Sequence, residues 1–256
     1  MVSDPILHAF TNLLIWLPVL LFLGSVSFYY HKDFIFSITG VNEVTRKEEP
    51  FIYNTVENLC ISRGLKTPNI GIIEDNKLNA FAIGWNDKNS WIVFTRGLIE
   101  NLTKKEIQAV AAHELTHIKN KDNLLILIII LFIGVIKTLG EAIIRSLRYN
   151  SSGNKGGIYF FIIGTVLLIV GHIIFPFVQL AITKSREFLA DAGAVELTKD
   201  KDSMISALKK IQKEKNSLSL EEKSIYHMYI ENPSSKNGWT NSHPSIEDRI
   251  KALESY

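Results

Sequence analysis

Cysteine is nearly absent from this chain. Cys60 is the only one, so no internal disulfide framework exists and a reducing compartment fits. We read Cys60 as a small buried hydrophobe on the helix that precedes Pro68. A dominant charge is missing too: 28 lysines and arginines face 26 acids, a net charge of +2, too balanced to suggest a nucleic-acid partner. The amino terminus also lacks a basic lead-in, since Met1 to Pro5 offers only Asp4, and no convincing small-residue cleavage site follows. A retained membrane anchor therefore fits better than a cleaved signal peptide.

What the chain does have is apolar sequence gathered into blocks. Leu13 to Tyr30 runs eighteen residues without a charge, long enough to cross a bilayer as a helix. Leu124 to Ile136 is thirteen residues, short alone but adequate when extended to Ile144, with Lys137 and Glu141 one turn apart as a candidate pair. Ile158 to Thr183 is the strongest block, where Pro176 is expected to kink the helix and His172 to serve helix packing. The polar, glycine-rich stretch from Arg145 to Gly157 separates the last two blocks, so together they read as a helical hairpin in lipid. The domain layout expected is an anchor at 1–31, one soluble part at 32–122, the hairpin at 123–183, and a second soluble part at 184–256. Lys32, Arg46, Lys47, Lys119, Lys121, Lys184 and Arg186 place both soluble parts in the cytoplasm. Arg145, Arg148 and Lys155 argue the other way.

Within the soluble parts, residues 42–64 read as an amphipathic helix, with Phe51, Val56, Leu59 and Ile61 marking its apolar positions. Short β-type runs follow at Asn69 to Ile73, Asn79 to Gly84 and Ser90 to Thr95, the last two forming a hairpin around Trp85 to Asn89. Asn79, Ala80, Phe81 and Ala82 are a candidate substrate edge, because an exposed edge strand can hold an extended peptide by main-chain hydrogen bonds. An ordinary core strand explains them equally well. Further on, Lys199 to Lys215 reads as a helix with Met204, Ile205, Leu208 and Ile211 inward. A second helix and loop are expected over Ser217 to Ser235, and Ser245 caps a last helix from Ile246 to Glu254.

The chemistry concentrates in Ala112-His113-Glu114-Leu115-Thr116-His117. Thr103 and Glu106 form a capping box that starts a helix, and Ile107, Val110, Ala111 and Leu115 recur at helical spacing. His113 and His117 then lie one turn apart on one face, where both imidazoles can reach one ion. Glu114 lies beside that ion and can take the proton of a bound water, as in the H-E-x-x-H zinc peptidases. A third ligand is required. Glu187 and Asp191, four apart on the helix after the third block, share a face. One carboxylate can ligate, and the other can accept a ligand histidine's free ring N–H. Two solvated surface acids beside Lys184 and Arg186 are the plain alternative. If the apolar blocks pair as a hairpin, both motifs meet at one membrane face.

Four ordered motifs carry a resemblance. His113-Glu-Leu-Thr-His117 through Asp122 precedes an apolar span, and Ser185-Arg-Glu187-Phe-Leu-Ala-Asp191-Ala follows one. With Asn79-Ala-Phe-Ala82 and His243-Pro-Ser-Ile-Glu-Asp-Arg249, they resemble the HtpX-type membrane metalloproteases, relatives of the CAAX prenyl endopeptidases. The match covers most of residues 40–256. It implies a mainly α-helical membrane protein with an α+β gluzincin catalytic domain, one zinc per chain, and cleavage of damaged or misassembled membrane proteins. It also implies that the strand at Asn79 to Ala82 borders the substrate cleft. Members of this type often begin with two spans, whereas one clear span precedes the soluble part here. His243 is a candidate oxyanion donor; occupying the open zinc position or merely capping a turn are the alternatives. Arg249 either pairs with a site carboxylate or braces the last helix. A membrane scaffold that keeps zinc only for structure is the rival reading.

Overall fold

A computed structural model describes residues 39–84, 89–149, 157–217 and 244–256, with scattered positions between 11 and 37. Its chain divides into two compact units. One comprises Lys32–Leu125 and Ile182–Tyr256, and the other Met1–His31 and Ile126–Ala181.

The first unit holds a four-stranded sheet in the order β1-β2-β4-β3. Its strands are β1 (Asn42–Glu43), β2 (Asn69–Ile73), β3 (Ala80–Ile83) and β4 (Trp91–Thr95). β3 and β4 form the expected antiparallel hairpin, with Ala80 opposite Phe94 and Ile83 opposite Trp91. β2 runs parallel to β4, from Asn69 opposite Trp91 to Ile73 opposite Thr95. All five β4 residues are buried, as a central strand covered on both faces requires.

The helix expected over 42–64 is shorter in the structure, though it contains all four of its apolar markers. α1 spans Pro50–Arg63, while Asn42–Glu43 pair with β2 instead. Pro50 fixes the start, because proline fits the first helical turn and pushes the residue before it out of the α region. Gly64 ends the helix in the left-handed conformation (φ 64), which glycine adopts without a Cβ penalty. Ile52, Val56, Leu59 and Cys60 are the buried residues of this helix, whereas Ile61 is 69% exposed.

α2 (Arg96–Asn101) and α3 (Lys104–Asn120) follow the sheet. Both halves of the Thr103–Glu106 capping box are made. Glu106 also accepts from Ser206 (2.6 Å) and Lys210 (2.7 Å), which ties α3 to α7 (Lys201–Ser217). Met204, Ile205, Leu208 and Ile211 of α7 point inward as their spacing predicts. α8 (Ile246–Glu254) starts at Ser245, whose side chain accepts from the Asp248 N–H. Ile52, Ile70, Phe94, Val110, Leu115, Leu208 and Ile246 join these elements in one core.

The second unit is built from apolar helix. α4 spans Asp122–Tyr149. α5 (Gly157–Ile169), a π-helical turn (Val170–Ile174) and α6 (Phe175–Thr198) form one continuous rod. Asp122–Arg145 and Gly157–Thr198 are each long and apolar enough to cross a membrane. Leu168 packs directly on Gly140, and Ile143 and Ile144 on Gly164, a close approach that small residues allow between apolar helices. Pro176 lacks the N–H for a regular turn, and the wider π-turn lies just before it. Glu141 pairs with Arg145 at 2.7 Å, not with Lys137, which lies against Gly171. His172 is exposed instead of packed between helices, and its Nδ1 bonds to the Leu168 carbonyl of its own rod (3.1 Å). Of the expected anchor over Leu13 to Tyr30, ten scattered positions are described, all of them helical, and the others lie outside the described residues.

Candidate metal centre

α3 and α6 supply the donors. Along α3, Val110, Ala111 and Leu115 face the core, which leaves His113 and His117 on the side that meets α6. The helices approach closely because α6 carries Gly193 there. A Cβ at that position would lie 2.5 Å from Thr116 Cγ2 and 2.7 Å from its Oγ1.

That approach brings Glu187 between the two rings. The Nε2 atoms of His113 and His117 are 3.1 Å apart. Glu187 Oε2 lies 3.6 Å from His113 Nε2, and its Oε1 lies 3.6 Å from His117 Nε2. Ligands at about 2.05 Å in a tetrahedral set stand about 3.3 Å from one another, so these spacings suit a single small cation.

The ring orientations agree with the distances. His113 Nδ1 faces Asp191 Oδ1 at 3.0 Å, and His117 Nδ1 faces Asp122 Oδ2 at 2.7 Å. A ring that donates from Nδ1 to a carboxylate presents a lone pair at Nε2. When both rings are neutral and present Nε2 to one another, a cation between them can take both lone pairs. The donor set therefore fits zinc, which takes imidazole nitrogen and carboxylate oxygen.

Each carboxylate behind a histidine is held in turn by an arginine. Arg249, 0% exposed on α8, donates to Asp191 twice, from Nε at 2.8 Å and Nη2 at 2.6 Å. Its Nη1 lies 3.3 Å from Glu187 Oε2. Arg186 donates to Asp122 through Nε and Nη2 and reaches the Asn120 carbonyl at 3.3 Å. Asp122 reaches back to His117 because Lys121 closes α3 in the left-handed conformation (φ 56), so α3 and α4 are distinct helices.

The electrostatics follow from burial and these partners. Burial opposes charge on the His113 ring, yet Asp191 and Glu187 outweigh it and raise its pKa to about 9. The same negative field favours a metal cation. Asp191 is also buried, but Arg249 and His113 hold its carboxyl below the usual range. Burial pushes the Glu114 carboxyl up, only partly offset by the two histidines.

Among the residues singled out from sequence, His113, His117, Glu187, Asp191 and Arg249 come together, with Glu114 buried beside the two histidines on α3. Buried Ala80 and half-buried Phe81 and Ala82 lie in β3, one of the sheet's two edge strands, against which α3 packs. Asn79 precedes the strand, buried, with its carbonyl accepting from the Thr95 N–H at 2.9 Å. His243 lies outside the described residues. Asp122 and Arg186 stand within the motifs singled out from sequence but were given no role at the metal. His117 and Asp122 are five residues apart across a helix break, a spacing that no helical rule marks.

Comparison with known proteins identifies the family. Residues 46–256 match the profile of Peptidase family M48. The chain is similar to a Protease HtpX homolog of Bacteroides fragilis, 36% identical over 245 residues, covering 90% of this chain and 76% of that protein. A Protease HtpX homolog of Dictyoglomus turgidum is 35% identical, covering 92% and 79%. In fold, the chain resembles the crystal structure of S. mikatae Ste24p, with a TM-score of 0.63 and 22% identity over 94% of this chain. It spans 58% of that protein's length. The chain thus belongs to Peptidase family M48 and is a metallopeptidase with two helices long and apolar enough to cross a membrane.

Proposed function

We propose that the protein is a membrane-anchored zinc endopeptidase of the gluzincin type, with zinc held by His113, His117 and Glu187. The convergence of both Nε2 atoms and the Glu187 carboxylate carries this reading. Zinc bound there polarises a peptide carbonyl and makes water a nucleophile at neutral pH. Glu114 takes a proton from the attacking water and delivers it to the leaving amine. Its burial suits that exchange, because a carboxyl raised toward neutrality both accepts and returns a proton. Asp191 fixes the His113 ring through Nδ1, and Arg249 holds Asp191 and Glu187 in register. His243 stands six residues before Arg249 in sequence, on the segment leading into α8, and is the candidate donor to the oxyanion of the tetrahedral intermediate.

The substrate lies as an added strand along Asn79, Ala80, Phe81 and Ala82. It is a damaged or misassembled membrane protein, cut at the cytoplasmic face. In this layout residues 1–31 form an anchor, and 123–183 a transmembrane hairpin inserted between soluble parts at 32–122 and 184–256. The lysine and arginine distribution around the apolar blocks supports that orientation. Glu114→Gln tests the mechanism against a scaffold whose zinc is only structural. We expect one zinc per chain and unchanged thermal unfolding, with casein cleavage in detergent reduced at least about 1,000-fold, as loss of a site's proton-transfer group implies. Full cleavage by Glu114→Gln would end the mechanism.

A further inference from the structure

The edge strand is already partly occupied by the chain itself. The Thr95 N–H donates to the Asn79 carbonyl at 2.9 Å, which sets the alternation of the antiparallel β3–β4 pair. Phe81 and Ile83 then turn their main-chain groups toward β4, and Ala80 and Ala82 turn theirs to the outer edge. The side-chain amide of Asn123, on the first turn of α4, donates to the Ala82 carbonyl at 3.1 Å and reaches the Gly84 carbonyl at 3.5 Å. An added peptide strand would place a backbone N–H at that Ala82 carbonyl. Asn123 cannot easily withdraw, because its neighbour Asp122 is held by Arg186 and faces His117.

We propose that Asn123 is a specificity-determining residue that ends the peptide-pairing edge at Ala82. The proposal rests on the strand-addition reading above. Its carboxamide stands where a substrate amide would stand, so a bound peptide pairs no further toward Gly84 than Ala80, a residue 0% exposed before the peptide enters. The protease then asks for only a short extended segment at the cut. That suits polypeptides whose flanking residues cannot be drawn into a long strand.

The test is an N-methyl scan of a peptide taken from a mapped casein cleavage site. It is assayed on the full-length protein in detergent as wild type, Asn123→Ala and Asn123→Asp. The aspartate variant keeps the size of the side chain and suits a first helical turn, but when ionised it cannot donate to a carbonyl. Zinc content and thermal unfolding report whether each variant is folded. In wild type we expect one methylated position facing the strand to raise KM about tenfold. In both variants a second sensitive position appears two residues away, and KM for the unmethylated peptide falls about 2- to 10-fold, the worth of one added hydrogen bond. Two sensitive positions in wild type, or a single one in folded variants, would overturn the proposal. If no methyl group matters in any of the three proteins, strand addition itself is wrong and the proposal falls with it.

Discussion

The two histidines of the metal centre are supported by the same sequence of groups, yet the two supports differ in exposure. Behind His113 stand Asp191 and Arg249, with the guanidinium side chain 1% exposed. Behind His117 stand Asp122 and Arg186, with that guanidinium side chain 20% exposed. The rings follow their supports, at 2% for His113 and 15% for His117. A buried arginine between two buried acids serves folding as well as the metal, because removing it strands charge in low dielectric. Arg186 reaches solvent, so water can replace part of what it gives Asp122, although that carboxylate is itself buried. The His113 side is thus the fixed wall of the site, and the His117 side is its open rim.

Removing each guanidinium is the most severe way to break this contrast. Arg249→Met should cost about 3–5 kcal/mol of unfolding free energy, since Asp191 and Glu187 lose their buried partner. Arg186→Met should cost less, about 1–3 kcal/mol, because only the arginine side of this pair reaches water. Thermal unfolding of the zinc-loaded protein in detergent reads both, and equal losses would remove the distinction.

Asp191→Asn and Asp122→Asn sharpen it at the metal. Each should weaken zinc binding about 10- to 100-fold, the usual effect of altering the group behind a ligand histidine. Competition with a chromophoric chelator measures it. The Asp122 variant should keep its stability, while the Asp191 variant should lose some as Arg249 becomes unpaired.

The smallest effect comes from a control outside both supports. Burial works against an ionised Glu106, but Lys210, Ser206 and Thr103 overcome it and lower its pKa to about 2 from 4.5. A depressed carboxyl stabilises the fold above its unfolded pKa and loses that contribution as pH falls. Relative to Glu106→Gln, wild type should therefore hold an advantage of about 1 kcal/mol near pH 5 that disappears toward pH 2, the figure being reduced for the partial exposure of Lys210. Neither arginine variant should alter that difference.

Much of the site was legible because helices repeat. His113 and His117, and Glu187 and Asp191, are each separated by one helical turn, so a shared face follows from spacing alone. β2, β3 and β4 were legible from apolar runs bounded by turn residues. Other features depend on where the chain departs from repetition. Lys121 adopts a left-handed conformation usually taken by glycine or asparagine, and nothing in its identity marks the break that brings Asp122 to His117. Pro50 excludes residues 42–49 from α1, and the apolar markers Phe51, Val56, Leu59 and Ile61 all follow it, so the proline is the boundary signal to read. The parallel pairing of β2 with β4 joins segments that do not adjoin in sequence, so no turn signal records it. Asn123 reads as an ordinary polar residue before an apolar block, since its carbonyl partners lie some forty residues earlier in the chain.

Gly193 has no part in the chemistry and bonds no ligand, yet it sets the calliper width of the zinc grip. Metal coordination tolerates displacements of only a few tenths of an ångström, whereas a single methyl group at this position would wedge the two helical jaws apart. The tightness of the grip is therefore governed from a residue that never faces the ion, through a gap one carbon atom thick.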